Sequence, residues 1–217
     1  MSENLIPFMG IAIGLIILII LFNFIILIIS YKKPKQGQAI IRSGLKGVRI
    51  GLYRGIYVIP LFHKMEYIDL TLKKINIEHK ENQSVICKDF IRADIKVNFH
   101  LSISNTPDDI LRTSTLIGCE KTFDETKIKD IFLTKFSEVL KTIAFTFEYG
   151  ELHNKKTQFR DEIIILIGTD LYGYVLEDVI IEYIKQTPIT FLNPNDVLDS
   201  KGIKKIKELT EIKNFKN

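Results

Sequence analysis

The sequence predicts an α+β fold carried on an N-terminal transmembrane helix, with an antiparallel sheet first and packed helices after it. Three observations predict it. Residues 5–29 form an uncharged apolar run, and positions 91–103 alternate apolar and polar with a period of two. From residue 106 the apolar positions recur at helical spacing behind N-cap residues. Strands gathered before helices mark α+β rather than alternating βαβ units.

The stretch from Leu5 to Ile29 is apolar except for Asn23. About 25 residues at ~1.5 Å each give a helix of roughly 37 Å, enough to cross a hydrocarbon core of about 30 Å with some tilt. A water-soluble helix would show polar residues at every third or fourth position. Asn23 has two readings: an amide bonded to a neighbouring helix, or a polar group near the headgroups with no partner. A signal peptide would start basic, run shorter and end at a small-residue cleavage site. This run follows Glu3 and ends in Ser30-Tyr31-Lys32-Lys33, so residues 1–31 read as an uncleaved anchor. No Lys or Arg precedes it, and Lys32, Lys33 and Lys35 follow at once. The positive-inside bias therefore predicts an outside N-terminus and a cytoplasmic domain. Tyr31 suits the interfacial aromatic belt.

The rest of the 217-residue chain suffices for one ordinary domain or two small ones. All 30 Lys and Arg lie after the anchor with every acid except Glu3, a mild basic excess. Such an excess suits an anionic membrane surface and is too small and dispersed for nucleic acid. Cys87 and Cys119 lack CxxC or Cys/His spacing, which argues against zinc and predicts free thiols packed as small apolar groups.

Pro34 to Gly37 reads as a tether. Ala39–Arg42 and Val48–Ile50 are β-rich around the glycine turn Ser43–Gly47, and Ile56–Ile59 runs into Pro60. Met65–Leu70, Leu72–Glu78 and Ser84–Cys87 follow, then a Lys88-Asp89 corner. In the long strand Ile91, Ala93, Ile95, Val97, Phe99, Leu101 and Ile103 face one way. Arg92, Asp94, Lys96, Asn98, His100 and Ser102 face the other, predicting an antiparallel sheet with one wet face. Gly44, Gly47, Gly51 and Gly55 sit between short strands, so they are turns and not a phosphate loop, which needs a strand before it and a helix after it.

Thr106-Pro107-Asp108-Asp109 predicts an N-cap with Pro at N1, in a helix closed by Gly118. Thr122-Phe123-Asp124-Glu125 reads as a capping box. It opens a helix with Ile128, Ile131, Phe132, Phe136, Val139, Leu140, Ile143 and Phe147 on one stripe, ended by Gly150. A third helix spans about Lys155 to Leu171, a last strand Val175 to Ile184, and Asn193-Pro194-Asn195-Asp196 caps a terminal helix.

No spacing points to catalysis. His63, His79, His100 and His153 are scattered, no GxSxG surrounds a serine, and no Ser-x-x-Lys opens a helix. Asp108-Asp109 suits a helix N-terminus without further function. No enzyme, cofactor or metal is expected. Membrane contact is better supported: Arg42, Lys46, Arg49 and Arg54, with Lys32, Lys33 and Lys35, interleave with Leu52, Tyr53, Ile56 and Tyr57 next to the anchor. Lys32, Lys33, Lys35, Lys46, Arg49, Arg54, Tyr53 and Tyr57 are the candidate contacts. The alternative makes the tyrosines and isoleucines core and the cations a solvated rim.

Several motifs carry a family resemblance. Ala39 through Gly47, Gly55-Ile56-Tyr57-Val58-Ile59-Pro60 and the Asp89 corner resemble the SPFH (band 7) superfamily of stomatins, prohibitins and flotillins. Ile167 through Asp178, Gln186-Thr187-Pro188 and Leu192 through Asp199 resemble bacterial flotillin-like inner-membrane proteins. The resemblance implies a non-enzymatic scaffold of membrane microdomains at the bacterial inner membrane, with an SPFH domain over residues 32–190 and a C-terminal helix from 191. It also implies a homo-oligomer, or a hetero-oligomer with other SPFH proteins, on an anionic bilayer. The rival is a regulatory module pressing on another membrane protein, such as a protease or transporter. Flotillin relatives continue into a long coiled coil. Here Ile203, Ile206, Leu209, Ile212 and Phe215 give an apolar stripe of about two heptads, so self-association through the first four is expected to be weak.

Overall fold

The chain divides into two compact units, Met1–Asp69 and Leu70–Asn217, and the first contains helix α1 (Leu5–Ser30). The structure, a computed structural model, describes residues 5–45 and 47–214, with side chains over 13–45 and 47–211.

The first unit adds strands β1 (Tyr31–Lys32), β2 (Gln38–Gly44), β3 (Arg49–Gly51), β4 (Ile56–Tyr57) and β5 (His63–Asp69). β1 pairs with β4, and β2 lies between β3 and β5, all antiparallel. Ala39, Ile40, Ile41, Val58 and Ile68 are buried. In α1 the Asn23 amide donates to the Ile19 carbonyl at 2.8 Å, one turn back in its own helix.

The second unit holds β6 (Lys73–His79), β7 (Val85–Ile86), β8 (Arg92–Ile103) and β9 (Tyr174–Gln186), with α2 (Pro107–Leu116), α3 (Glu125–Ala144), α4 (Tyr149–Asn154), α5 (Lys156–Ile167) and α6 (Val197–Asn214). β8 is the spine: β9 pairs along one side of it, β6 and β7 along the other. Its apolar set from Ile91 to Ile103 is buried against the α3 stripe, where the Phe99 and Phe136 rings lie 4.6 Å apart. Every stripe residue named above is buried except Ile131, which is half-buried.

The opposite face of β8 is drier than its composition predicts. Asn98 is buried and the other polar positions are half-buried. Glu182 on β9 accepts from Lys96 Nζ at 2.7 Å and from Asn98 Nδ2, with Lys74 at 3.9 Å, and Tyr183 donates to Glu78 at 2.6 Å. These bridges hold the Glu182 carboxyl below its usual range and push the Tyr183 phenol up to about 12.

Thr106 caps α2 as expected, accepting from Asp109 N at 3.2 Å. The cap of α3 is different: Asp124 accepts from the N–H groups of Thr126 and Lys127, while the Thr122 hydroxyl is buried and donates to the Cys119 carbonyl. An aspartate nearer the helix displaces the threonine of the expected box. Gly150 does not end α3 but lies inside α4, whose N-terminus uses a Glu148/Glu151 box and Asp89 Oδ2, which accepts from Tyr149 N at 3.3 Å. α5 stops at Gly168 (φ 71°), short of Leu171. Asp196 caps α6 as expected, accepting from Leu198 and Asp199 N–H at 2.9 and 3.0 Å.

Candidate membrane interface

α1 runs directly into β1. Ser30, its last residue, is buried, and Tyr31 and Lys32 already pair with Tyr57 and Ile56. Val58 N–H donates to the Ser30 carbonyl at 2.7 Å, satisfying one of the carbonyls that a helix C-terminus leaves free. The Tyr31 and Tyr57 rings are 5.3 Å apart. Tyr31 lies over Gly55, where a Cβ would sit 2.3 Å from the ring, so a larger residue would displace it. Arg42 is buried and donates from Nη1 to the Tyr57 carbonyl at 3.0 Å, which ties β2 to the β1–β4 ladder. It is a structural cation, not one of the rim.

Since β4 is antiparallel to β1, the chain after Tyr57 runs back toward the last turn of α1. Val58 stands level with Ser30, and Ile59-Pro60-Leu61-Phe62 comes next. This turn is closed by Phe62 and His63 N–H groups on the Ile59 carbonyl, at 3.0 and 2.9 Å, and by Ile59 N–H on His63 Nδ1 at 3.1 Å. It presents Leu61 at 84% exposure, with Ile59 and Phe62 also exposed. The β2–β3 turn stands beside it, because Gly44 pairs with His63 and Leu45 N–H reaches the Phe62 carbonyl at 3.5 Å. Leu45 and Val48 are exposed there. Single exposed apolar residues are ordinary, whereas these five are grouped beside the end of an apolar helix.

The sequence-predicted contacts differ in exposure. Lys32 is half-buried, and Lys33, Lys35, Arg49 and Arg54 are exposed; Tyr53 at 77% and Tyr57 at 53% are too exposed to be core. Lys46 lies outside the described residues. Arg49 pairs with Arg42, two residues and roughly 7 Å from the Gly44–His63 end. Tyr31 and Tyr57 pair one step beyond the level of Ser30 and Val58, so an aromatic pair stands next to the end of α1. Sequence reasoning missed Leu45, Val48, Ile59, Leu61 and Phe62; the available signal was an unalternated apolar run around Pro60 inside a turn.

The candidate association helix is already engaged. Ile206 is buried with Ile91 and Leu192, and Ile203 packs half-buried against them. Asp199 accepts from Arg92 Nε at 2.5 Å and from Asn193 N–H at 2.9 Å, and Lys201 Nζ lies 4.9 Å over the Phe90 ring. At Gly202 a Cβ would meet the Phe90 carbonyl at 2.3 Å. The expected stripe is therefore not free along its length: Ile206 belongs to this chain's own core, and Leu209 is exposed at 48%. The side chains of Ile212 and Phe215 lie outside the described residues.

Among the described residues no three His, Cys, Asp or Glu side chains gather as metal ligands. His79 is buried, bonded through Nδ1 to the Gln83 carbonyl and through Nε2 to Ser137 Oγ, and burial lowers its pKa. Cys87 and Cys119 are buried and in no disulfide, and burial, with Asp89 nearby, pushes Cys87 up to about 12.

The SPFH domain / Band 7 family matches residues 25–214, a span that includes the end of α1, the tip and all of α6. The chain belongs to this family. Among the relatives of this SPFH protein, the Flotillin family inner membrane protein YqiK of Escherichia coli is 26% identical over 183 residues, covering 83% of this chain and 33% of YqiK. The Flotillin family inner membrane protein sll1021 of Synechocystis is 25% identical over 198 residues, covering 87% of this chain and 29% of its own length. The SPFH protein thus spans about a third of the length of the curated relatives it matches. Those relatives are inner-membrane proteins, and this chain carries one N-terminal helix long and apolar enough to cross a membrane among its described residues.

Proposed function

We propose that this SPFH protein is an inner-membrane scaffold, anchored by residues 1–31 with its domains on the cytoplasmic face, that self-associates and organises microdomains. The observation that carries the reading is the apolar tip of Leu45, Leu61 and Phe62 held by backbone pairing beside the end of α1. One transmembrane helix alone lets a domain swivel. A second contact, with about 2 kcal/mol for a fully inserted leucine, fixes its attitude to the bilayer. Copies confined to a plane at one attitude present matching sides, so weak lateral contacts become populated. The tip also displaces lipid from one leaflet, and the cations around it add about 1 kcal/mol each toward anionic headgroups. The partners are anionic lipid and further copies or other SPFH proteins; the basic excess is too slight for nucleic acid.

The chain has no tryptophan, so Leu61→Trp introduces a single reporter. In nanodiscs its emission should shift to the blue and be quenched by brominated acyl chains. A water-like, unquenched spectrum removes the interface. Energy transfer between labelled copies should rise with surface density in bilayers; monomers at high density remove the scaffold.

A further inference from the structure

Strand β9 has 13 residues, and among the described residues it pairs with β8 along one edge and with no strand along the other. Two bonds fix which way its backbone points. Thr187 N–H donates to the Arg92 carbonyl at 3.0 Å and Ser104 N–H to the Gly173 carbonyl at 3.2 Å, so the even-numbered residues of β8 face β9. The register then turns the N–H and C=O groups of Leu176, Val179, Ile181 and Ile184 away from β8. Its two shifts skip Glu177 and Glu182. The outward residues therefore recur at three, two and three positions, not at the period of two of a regular strand.

A free edge of this length is a template for another chain. Its centre, however, is closed by this chain's own side chains. Asp178 Oδ1 accepts from Val179 N–H at 2.8 Å, and Lys156 Nζ, in the first turn of α5, donates to the Ile181 carbonyl at 2.9 Å. Val179 and Ile181 are left 1% and 5% exposed, while Asp178 and Lys156 stand in solvent.

The spacing also tells which strand this edge is closed against. A regular strand could match Val179 and Ile181 and would then fall out of step at both bulges. The edge of β9 reads the same from either end. Laid antiparallel about Ile180, Leu176 faces Ile184 of a second copy and Val179 faces its Ile181. In that register the bond from Val179 N–H to the second copy's Ile181 carbonyl joins the two groups that Asp178 and Lys156 already occupy. The same register sets Asp178 opposite the second copy's Glu182, a like-charge pair. We propose that Asp178 and Lys156 guard β9 against edge-to-edge pairing with β9 of a second copy. Anchors held in one plane raise the concentration of copies around each other, so an edge that is harmless in dilute solution needs a guard at a bilayer. Lateral contacts between copies then lie on other surfaces.

The test is a disulfide at the axis. Ile180, 43% exposed, would stand opposite itself at a non-hydrogen-bonded position, where Cα atoms lie about 4.5 Å apart and a disulfide can close. Cys87 and Cys119 are buried, which leaves the thiol of Ile180→Cys as the one an added oxidant reaches. The full chain is placed in phosphatidylcholine vesicles, oxidised with copper phenanthroline and run on a non-reducing gel. Ile180→Cys alone should stay monomeric. Adding Lys156→Ala and Asp178→Ala should give at least about tenfold more dimer, the scale of one hydrogen bond to a charged group. All three positions are exposed, so the melting temperature should stay close to that of the wild type. With the guard removed, a mixture of Val175→Cys and Lys185→Cys copies should also cross-link. Val175→Cys copies alone, roughly 30 Å apart along the seam, should not. Abundant Ile180→Cys dimer in the guarded chain, or none in the unguarded one, overturns the guard, and cross-linking of Val175→Cys alone overturns the register on which it rests.

Discussion

Removing the Asp199 carboxylate should release α6 from its sheet while the rest of its unit stays folded. Asp199 has 7% side-chain exposure and Arg92 19%; they meet at 2.5 Å, and the second Asp199 oxygen accepts from Asn193 N–H. In Asp199→Ala the guanidinium keeps one longer contact, to the Ser84 carbonyl at 3.4 Å, and the Asn193 N–H loses its acceptor. Breaking a buried pair from one side costs about 3–5 kcal/mol, and the partial exposure of Arg92 puts this case near 3 kcal/mol. At about 1.4 kcal/mol per decade, that multiplies local opening of α6 roughly 150-fold. Native-state hydrogen exchange on the full chain in nanodiscs reads this directly, with amides 200–209 as the signal and the α3 amides as the control. Replacing both partners by apolar residues (Arg92→Met with Asp199→Leu) should restore most of the protection, because no charge is then left buried. Exchange of α6 in Asp199→Ala within about threefold of the wild type would refute the pair as the latch, and an equal loss in α3 would show global rather than local unfolding.

Three further outcomes follow from burial. His79 is held below its usual pKa, so below about pH 6.5 the unfolded chain takes up a proton that the folded chain refuses. Stability should therefore be complete at pH 7.5 and fall toward pH 5.5, and the melting temperature of His79→Gln should fall less over that window; equal slopes sink the assignment. Cys87, at about 12, should react with iodoacetamide at pH 8 at least about a hundredfold more slowly in the native chain than in denaturant, and comparable rates would contradict its burial. Ile206→Lys should destabilise α6 docking by about 3 kcal/mol or more, read as a lower melting temperature. Leu209→Lys should change stability by less than about 0.5 kcal/mol and weaken self-association on a native gel; the reverse pattern would restore Ile206 to the association face.

Much of the fold was legible because its signals are local. The charge-free run of α1, the period-two alternation of β8 and the caps at Thr106 and Asp196 each depend on neighbours a few residues away. Errors arose where two local signals competed. Asp124 and Thr122 both offered a cap for α3, and proximity to the first turn favoured Asp124. Gly150 looked like a stop, but Asp89, distant in sequence, supports a new helix around it.

The candidate membrane surface was legible in part. Its candidate cations and tyrosines are chosen by composition alone, whereas Arg42 and Arg49 are equivalent as letters and opposite in burial. One is buried on the Tyr57 carbonyl, while the other stands exposed. Ile206 and Leu209 share a stripe, and only packing against Ile91 and Leu192 separates them.

By itself the sequence determined the apolar N-terminal helix, the α+β order of strands and helices, and the family to which they belong, since periodicity, hydropathy and motif spacing are properties of contiguous residues. Only the tertiary structure decided which exposed apolar residues stand at the end of α1, which polar groups bridge β8 and β9, and that α6 is latched by a pair 107 positions apart. The reason is physical. Whether a side chain faces water, lipid or another side chain depends on which distant segment returns beside it, and antiparallel pairing such as Val58 on Ser30 makes that choice after the local structure has formed.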